Sequence, residues 1–387
     1  MLIGVDSSAA GAEQAGDTTY LRELLAGLAR IDRANQYRLY DARNHPFYSS
    51  LPKWFVHRQL PHPYSFRQLA TLPLMMARDH VELVHTQYVL PTWIKTPAVV
   101  TIHDLHFEHF PAHYPTRDRW FLKVFVRRSA RHADRIITGS QYARRDIHTW
   151  YDVPLGKIVV IPHGVSPRFR PEPDLQRLQA VRQKYGIAKP FVLFLGRLID
   201  PRKNVRLLIN AFLELDSALA QSYQLVIAGN NEGERNHRLM LQAQQQGGGR
   251  IIFPGFIDSD DLTALLSAAA ALVYPSIFEG FGLPVLEAMA CGTPVIASRA
   301  TALPEVTGDA ALLFDPNNEN ELVEAMRRLL SSSQLRAQLR ELGLRRAAGY
   351  SWEACARQTL DVYTAAYQRR PVVANEDLAA PAATPLG

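Results

Sequence analysis

Short apolar runs of four or five residues alternate along the whole chain with longer stretches of helical periodicity. The helical stretches place apolar residues three, four and seven positions apart, as at Leu21, Leu24, Leu25 and Leu28 and again at Leu262, Leu265, Leu266 and Ala269. Buried strands that alternate with amphipathic helices are typical of βα units in a parallel sheet. The pattern predicts six strands in each half of the chain. In the first half they are Leu2–Asp6, Tyr37–Tyr40, Leu83–Thr86, Val99–His103, Arg135–Gly139 and Ile158–Pro162; in the second half they are Phe191–Leu195, Gln224–Ala228, Arg250–Phe253, Ala271–Tyr274, Pro294–Ala297 and Ala311–Phe314.

The repeated pattern predicts an α/β protein of two Rossmann-like, doubly wound domains. We expect the break between domains within residues 162–190, where Pro167, Pro171 and Pro173 interrupt a polar segment before the strand at Phe191. The predicted domains are residues 1–170 and 171–351. Residues 371–387 are rich in alanine and proline and carry only two charges, which predicts a flexible tail.

The composition agrees with a folded protein of this size. The 387 residues are 47% apolar and 21% charged, and they suffice for two domains. The chain has two cysteines, Cys291 and Cys355, too few for a disulfide framework or a cysteine metal site. The start of the chain lacks a basic region, and no apolar stretch approaches the ~18 residues of a membrane-spanning helix. We therefore expect neither a signal peptide nor a transmembrane anchor, and a cytoplasmic location.

Positive charge is concentrated in the first half. Residues 1–170 carry 22 lysines and arginines against 14 acidic residues, whereas residues 171–387 carry 21 against 23. The segment 117–131 alternates cations with large apolar residues, a pattern that suits a helix on an anionic membrane surface. A docked helix with a solvated face has the same pattern, and the sequence leaves both interpretations open. No nucleic-acid recognition motif accompanies the charge, so we expect no nucleic-acid partner.

Two unusual segments follow predicted strands of the second half. Gly196 and Arg197 come directly after the strand that ends at Leu195, and Lys203 and Asn204 precede a helix. In open α/β sheets ligands bind outside the carboxyl ends of the strands. Two cations beside a glycine turn at the start of a helix predict a pyrophosphate site.

The second segment is Glu279-Gly-Phe-Gly-Leu-Pro284, after the strand that ends at Tyr274. Its glycines allow close approach of the backbone to a ligand, and Pro284 suits the first turn of a helix. Glu279 and Glu287 border this helix start, where carboxylates suit the hydroxyls of a sugar and a ribose while N–H groups bind phosphate. Capping of the helix dipole is the alternative role for either carboxylate.

Together these motifs resemble the retaining glycosyltransferases of family 4, which have the GT-B fold of two Rossmann-like domains facing across a cleft. The resemblance extends over about residues 1–370 and includes Thr101-Ile-His-Asp104 and Pro254-Gly-Phe256. It implies that the first domain binds the acceptor and the second the nucleotide sugar. It also implies a last helix, at about 352–370, that packs back on the first domain.

The same resemblance assigns roles to single residues. Arg197 and Lys203, beside Gly196, would hold the donor diphosphate, and Glu287 would bind the ribose. Glu279 and the amides of Phe281, Gly282 and Leu283 would hold the donor sugar, which His103 would face from the other domain. Gly16 would correspond to a glycine of the first βα loop that contacts phosphate or acceptor, although Thr18 stands where relatives often have a second glycine.

Histidines are concentrated in the first half, and His103, His106, His109 and His113 follow one another closely. The spacing suggests a metal site, but few carboxylates are near and two prolines interrupt the segment. We expect no metal and no cofactor, in agreement with the resemblance, because GT-B transferases generally work without a divalent ion.

The implied reaction is retaining transfer of a hexose from a nucleotide diphosphate sugar to a saccharide acceptor. Mannose from GDP-mannose is favoured because the first half looks like bacterial mannosyl- and rhamnosyltransferases of O-antigen or exopolysaccharide assembly. The acceptor would then be carried on a membrane lipid, and the enzyme would lie on the inner face of the plasma membrane. A nucleotide-sugar 2-epimerase and a non-catalytic scaffold of the same fold remain as alternatives. A nicotinamide oxidoreductase is disfavoured because no Gly-x-Gly-x-x-Gly follows a predicted strand.

Overall fold

The computed structural model describes residues 1–11, 16–60, 70–198, 200–229 and 234–369. The chain divides into two compact units. Among the described residues, the first unit comprises Met1–Gly164 together with residues 351–369, and the second is Val165–Tyr350. The tail predicted at 371–387 lies outside the described residues.

The first unit is built on a parallel sheet of seven strands in the order β3-β2-β1-β4-β5-β6-β7. Its central strands β4 and β5 are almost entirely buried, as expected where helices cover both faces of a sheet. The order reverses between β1 and β4, whose carboxyl ends therefore form a topological switch point. The strands are β1 Leu2–Asp6, β2 Gln36–Asp41, β3 Phe55–Gln59, β4 Leu83–Gln87, β5 Ala98–Thr101, β6 Arg135–Thr138 and β7 Ile158–Val160.

The second unit has a parallel sheet of six strands in the order β10-β9-β8-β11-β12-β13. All five residues of β8 and of β9 are buried, so this pair lies in the middle of the core. The switch point falls between β8 and β11. The strands are β8 Phe191–Leu195, β9 Gln224–Ala228, β10 Ile251–Gly255, β11 Ala271–Tyr274, β12 Val295–Ser298 and β13 Ala311–Phe314.

The prediction of two parallel, Rossmann-like α/β domains is confirmed, but the count of six strands in the first is wrong. The missed strand is β3, with the sequence Phe-Val-His-Arg-Gln, at the edge of the sheet. Only Phe55 of this strand is fully buried, because an edge strand has one neighbour and faces solvent. Its polar residues therefore hide the apolar pattern by which the other strands were found.

Helices connect the strands of both sheets. In the first unit they are Gly16–Ile31, Pro46–Ser49, Leu72–Arg78, His106–His109, Thr116–His132, Gln141–Tyr151 and Trp352–Tyr367; in the second they are Leu175–Lys184, Val205–Leu213, Ser217–Ser222, Glu234–Gly247, Leu262–Ala268, Leu283–Ala290, Leu303–Thr307, Glu319–Ser331 and Ser333–Ala348. No described helix is long and apolar enough to cross a membrane.

The last helix, Trp352–Tyr367, packs on the helix Gly16–Ile31 of the first unit. A Cβ on Gly27 would lie 2.9 Å from the Cβ of Ala356 and 2.9 Å from the carbonyl oxygen of Trp352, so the close contact requires glycine. Farther along the helix, the Tyr363 hydroxyl lies 2.6 Å from Nδ1 of His85 on β4.

The boundary between the units lies between Gly164 and Val165, six residues before the end of the predicted first domain. The N–H of Val165 donates to the Tyr350 carbonyl at 3.2 Å, and the Thr263 hydroxyl donates to the Arg168 carbonyl at 3.3 Å. These bonds join residues 165 and 168 to the second unit. The three prolines that suggested the break, Pro167, Pro171 and Pro173, all follow the boundary at residue 164.

Candidate functional site

The candidate site lies in the second unit, at the switch point between β8 and β11. Gly196 and Arg197 follow β8, and the loop 275–282 follows β11. A short 3₁₀ helix, Pro201–Lys203, leads from the first of these segments into the helix Val205–Leu213. Two segments that are far apart in sequence thus meet where open α/β sheets bind ligands.

A close ion pair joins the two segments. Lys203 Nζ lies 2.5 Å from Glu279 Oε1 and 2.7 Å from the Tyr274 hydroxyl. Both charged side chains are only 12% exposed. The Ser276 hydroxyl donates to the same carboxylate oxygen at 2.6 Å. The pair fixes the Glu279 loop to the segment that precedes the helix Val205–Leu213.

Each partner of this ion pair determines the charge of the other. Burial alone would lower the pKa of the Lys203 ammonium, but the nearby Glu279 carboxylate outweighs burial and raises it. Burial alone would raise the pKa of the Glu279 carboxyl, and Lys203, with Arg202, reverses this and lowers it. Both residues are therefore charged at neutral pH. An ammonium has three donor hydrogens, so after Tyr274 and Glu279 one remains for a ligand.

Arg197 is exposed, in contrast to Lys203. Within the described ranges, its guanidinium has no hydrogen-bonding or ion-pairing partner. Neither packing nor pairing among the described residues explains an arginine at this position. The guanidinium of Arg197 is therefore available to bind an anion. The preceding Gly196 donates its N–H to the Ala228 carbonyl at 3.0 Å, and a Cβ on Gly229 would lie 2.0 Å from the Gly196 carbonyl oxygen. Gly229 thus permits the turn that presents Arg197.

The loop after β11 ends in a helix start with free N–H groups. Gly282, with φ of 110°, precedes the helix Leu283–Ala290, and Pro284 occupies its first turn. In the part of the chain that the structure describes, the N–H groups of Gly282 and Leu283 have no acceptor, as is usual before the first helical turn. Phe281 is buried, and Glu287 lies half-buried one turn into the helix. The amides of Gly282 and Leu283 therefore lie at a helix N-terminus close to Glu279 in the chain, and their binding of the donor sugar stays a prediction.

Thr301 anchors the Glu279 loop. The N–H of Glu279 donates to Thr301 Oγ1 at 2.8 Å, and this hydroxyl donates to the Glu279 carbonyl at 2.9 Å. Thr301 has φ of 52°, a conformation that a β-branched residue rarely adopts. Sequence reasoning did not assign Thr301, because it follows β12 and no motif links it to Glu279. Tyr274, Ser276 and Gly229 were also missed, although each follows or ends a predicted strand.

The remaining predicted site residues, His103 and Gly16, belong to the first unit. His103 is buried after β5, with Nε2 2.7 Å from Gln87 Oε1 and its ring 4.6 Å from the ring of Tyr20. Gly16 begins the helix Gly16–Ile31, and a Cβ there would contact nothing within 4 Å in the described structure. Packing explains the position of His103 but not the choice of glycine at residue 16. Their roles toward the donor, like those of the residues in the second unit, stay predictions.

The other histidines of the 103–113 segment bond to protein groups. His106 bonds to Tyr114 through Nδ1 at 3.0 Å and to His113 through Nε2 at 3.2 Å. His109 Nε2 lies 2.8 Å from Asp146 Oδ1. Over the described ranges, the structure holds no group of three or more histidine, cysteine or acidic residues arranged for a metal ion.

The two parallel, Rossmann-like sheets have the architecture of the GT-B fold. Family models match both halves: residues 16–169 match Glycosyltransferase Family 4, and residues 179–346 match Glycosyl transferases group 1. The chain belongs to the family 4 glycosyltransferases and is a hexosyltransferase.

Named relatives support this assignment. The chain is 33% identical to the O-antigen chain mannosyltransferase B of Escherichia coli over 289 residues, which are 74% of this chain and 75% of that protein. It is 30% identical to the MMP alpha-(1->4)-mannosyltransferase of Mycolicibacterium hassiacum over 338 residues, covering 80% of this chain and 76% of the relative.

Solved structures agree on the fold. Sucrose-phosphate synthase from Thermosynechococcus elongatus superposes with a TM-score of 0.77 at 24% identity, covering 95% of this chain and 99% of that one. Anabaena Alr3699/HepE in complex with UDP and glucose superposes with a TM-score of 0.74 at 18% identity, covering 94% and 99%. At these identities the likeness establishes the fold alone.

Proposed function

We propose that the protein transfers mannose from GDP-mannose to a saccharide acceptor in surface polysaccharide biosynthesis, with retention of the anomeric configuration. The observation that carries the proposal is the Lys203–Glu279 pair beside the exposed Arg197 at the second switch point. The choice of mannose rests on the mannosyltransferases among the relatives. A cytoplasmic location follows from the use of a nucleotide sugar.

In the proposed mechanism the bond between the anomeric carbon and the diphosphate breaks as positive charge grows on the sugar ring. Arg197 and the remaining N–H of Lys203 stabilise the departing diphosphate, together with the free amides of Gly282 and Leu283. The acceptor hydroxyl attacks the same face of the sugar, and its proton passes to the departing phosphate oxygen. The proposed enzyme uses no cofactor or divalent ion, since Arg197, the remaining N–H of Lys203 and the helix start at Gly282 and Leu283 together stabilise the leaving group.

Glu279 has no nucleophilic role in this mechanism. Its carboxylate already accepts hydrogen bonds from Lys203 and Ser276, which suits binding of sugar hydroxyls better than attack on carbon. A glycosyl-enzyme intermediate trapped on Glu279 or His103, and detected by mass spectrometry, would contradict same-face attack.

The donor is tested by thermal unfolding with GDP, UDP, ADP and their sugar conjugates. At about 100 times its Kd a ligand adds roughly 2.7 kcal/mol to the stability of the state that binds it. We expect GDP and GDP-mannose to raise the unfolding midpoint, and Arg197→Ala to abolish the shift. A shift with UDP or ADP alone would mean that the donor carries that nucleotide in place of GDP. No shift with any nucleotide would favour a non-catalytic scaffold.

We also propose that the helix Thr116–His132 binds an anionic bilayer that carries the acceptor lipid. Five of its eight exposed residues recur at spacings of three and four and so lie on one face, namely Arg117, Trp120, Val124, Arg127 and Arg131. Trp120 is 63% and Val124 is 42% exposed. The opposite face packs into the core through Val126 and Ala130. A helix with arginines beside an exposed tryptophan suits the interface of a membrane with anionic lipids.

Sedimentation with vesicles tests the membrane proposal. We expect binding to vesicles that contain phosphatidylglycerol and little binding to pure phosphatidylcholine. A basic residue near such a surface contributes about 1 kcal/mol, so Arg127→Glu should weaken binding about fivefold or more. The control is Arg328→Glu, which changes the charge by the same amount. Arg328 is an exposed residue of the helix Glu319–Ser331 in the second unit. Equal binding to neutral vesicles would contradict the electrostatic explanation.

A further inference from the structure

The imidazole of His103 is held by closely packed rings in the first unit. His103 is 8% exposed and follows β5 in the chain. Three rings meet it edge to face, with centroids 4.6, 5.5 and 5.7 Å from the centroid of the imidazole: they belong to Tyr20, His163 and Tyr88. Packing thus fixes where the imidazole lies, and hydrogen bonds determine which of its two nitrogens carries the hydrogen.

The ring of Tyr20, the nearest of the three, is anchored by a chain of buried hydrogen bonds. The Tyr20 hydroxyl lies 3.1 Å from Thr101 Oγ1, which lies 2.8 Å from Nε2 of His85. Nδ1 of His85 lies 2.6 Å from the Tyr363 hydroxyl of the last helix. Burial lowers the pKa of His85 to about 3, so this imidazole is neutral and has one donor and one acceptor nitrogen for its two partners. The chain therefore holds in place the ring that contacts His103 most closely.

The groups beside Nε2 of His103 are hydrogen-bond acceptors. Gln87 Oε1 lies 2.7 Å from this nitrogen, and a carboxylate oxygen of Asp17 lies 3.9 Å from it. Nδ1 of His103, in contrast, has no hydrogen-bonding partner among the residues that the structure describes. A nitrogen that faces acceptors carries the hydrogen of a neutral imidazole. His103 therefore has its hydrogen on Nε2 and a free lone pair on Nδ1.

The backbone brings Gln87 to the distance that this bond requires. Gln87 ends β4 and pairs with Thr101 at the end of β5. The next residue, Tyr88, has φ of 59°, a left-handed conformation that is uncommon for residues other than glycine, and its N–H donates to the Thr101 carbonyl at 2.8 Å. The N–H of Val89 donates back to the Gln87 carbonyl at 2.6 Å. This tight turn fixes Gln87 beside the residue that comes two positions after β5.

We infer that Gln87 is a positioning residue that sets the tautomer of His103, so that Nδ1 accepts a hydrogen bond from a hydroxyl of the donor sugar. The lone pair of Nδ1 carries partial negative charge, which stabilises the positive charge that grows on the sugar ring. The N–H of the opposite tautomer would oppose that charge. The inference rests on the proposed function for the identity of the ligand, whereas the tautomer is a property of the protein alone.

Nitrogen NMR of the full chain with isotope-labelled histidine reads the tautomer, because protonated and unprotonated ring nitrogens have distinct shifts. Spectra are recorded at about pH 9, where an ordinary imidazole is neutral, and His103→Asn identifies the signals by their loss. We expect the hydrogen on Nε2 in the unaltered protein. The Nδ1–H form should appear in Gln87→Leu. Gln87→Glu should keep the hydrogen on Nε2, because a carboxylate only accepts.

Kinetics with the nucleotide sugar that raises the unfolding midpoint test the role of the tautomer. We expect Gln87→Leu to lower kcat about fivefold to tenfold, the effect of one neutral hydrogen bond, with little change in KM. In Gln87→Glu the carboxylate favours the imidazolium, in which Nδ1 carries a hydrogen and cannot accept. Its kcat should therefore recover at about pH 9 and fall more steeply toward about pH 6 than that of the unaltered protein.

The matched control is Gln59→Leu. Gln59 ends β3 in the same sheet and donates to the Ala42 carbonyl at 3.3 Å, so its replacement should change neither the tautomer nor kcat. Circular dichroism checks that Gln87→Leu is folded; if it is not, the spectrum of the unaltered protein and the pH dependence of Gln87→Glu decide.

Three results would overturn the inference: a hydrogen on Nδ1 in the unaltered protein, an unchanged tautomer or kcat in folded Gln87→Leu, or the pH dependence of the unaltered protein in Gln87→Glu. Failure of the proposed function is separate. It appears as the absence of any nucleotide-dependent thermal shift, while the difference in tautomer between the unaltered protein and Gln87→Leu persists.

Discussion

Arg197→Ala is expected to lower kcat by about 10²- to 10³-fold, with little change in the unfolding temperature. The guanidinium is exposed and has no partner among the residues that the structure describes, so its removal breaks no contact of the fold. Its proposed task is to stabilise charge on the departing diphosphate, and one such preorganised donor is typically worth about 3–4 kcal/mol in the transition state. Steady-state transfer from GDP-mannose, with parallel thermal unfolding, measures both effects.

Two further variants sharpen this expectation. Arg328→Ala removes an exposed arginine from the helix Glu319–Ser331 and should leave kcat unchanged. Arg197→Lys keeps the charge but loses the planar pair of donors. Its kcat should therefore lie between that of Arg197→Ala and that of the unaltered protein. If Arg197→Ala retained the kcat of the unaltered protein, the proposed role of this residue in catalysis would be wrong.

The parallel sheets were predictable because buried strands carry an uninterrupted apolar signal. Phe191–Leu195 and Ala271–Tyr274 match the structure at both ends, since every residue in them is buried. The prediction failed at β3, where the edge position permits arginine, histidine and glutamine. The domain boundary lies inside the predicted break segment, 162–190, but six residues before the drawn end at residue 170, because its exact position depends on which unit the segment bonds to.

The candidate site was predictable where a motif is continuous in sequence. Gly196-Arg197 and the segment from Glu279 to Glu287 each lie beside one strand, and the parallel topology brings the strand ends together. Thr301 and Gly229 could not be found in this way. Thr301 acts through two hydrogen bonds between its hydroxyl and the Glu279 backbone, and Gly229 acts through its close approach to the Gly196 carbonyl. Such contacts with a segment that is distant in the chain leave no local pattern.

The Lys203–Glu279 pair gives the largest expected effect on stability. Lys203→Ala leaves the nearly buried Glu279 carboxylate without its counter-ion, and breaking one side of such a pair typically costs about 3–5 kcal/mol. The double variant Lys203→Ala with Glu279→Ala should be less destabilised than Lys203→Ala alone, because it leaves no buried charge. Urea unfolding of the three variants and the unaltered protein at pH 7 completes the cycle. A double variant as destabilised as the sum of the single ones would show that the two charges do not interact.

The pH dependence gives a second signature of the same pair. In the unaltered protein the lowered pKa of Glu279 contributes stability above about pH 4.5, which is lost as the pH falls through the folded-state value. The raised pKa of Lys203 contributes stability below about pH 10.5, which is lost as the pH rises through its folded-state value. In Lys203→Ala the carboxyl loses the stronger of the two cations that oppose burial, so its pKa should rise. Protonation then removes the uncompensated charge, and the destabilisation should shrink between pH 7 and pH 4. A destabilisation that stays constant over this range would mean that Lys203 stabilises the loop by packing and not by its charge.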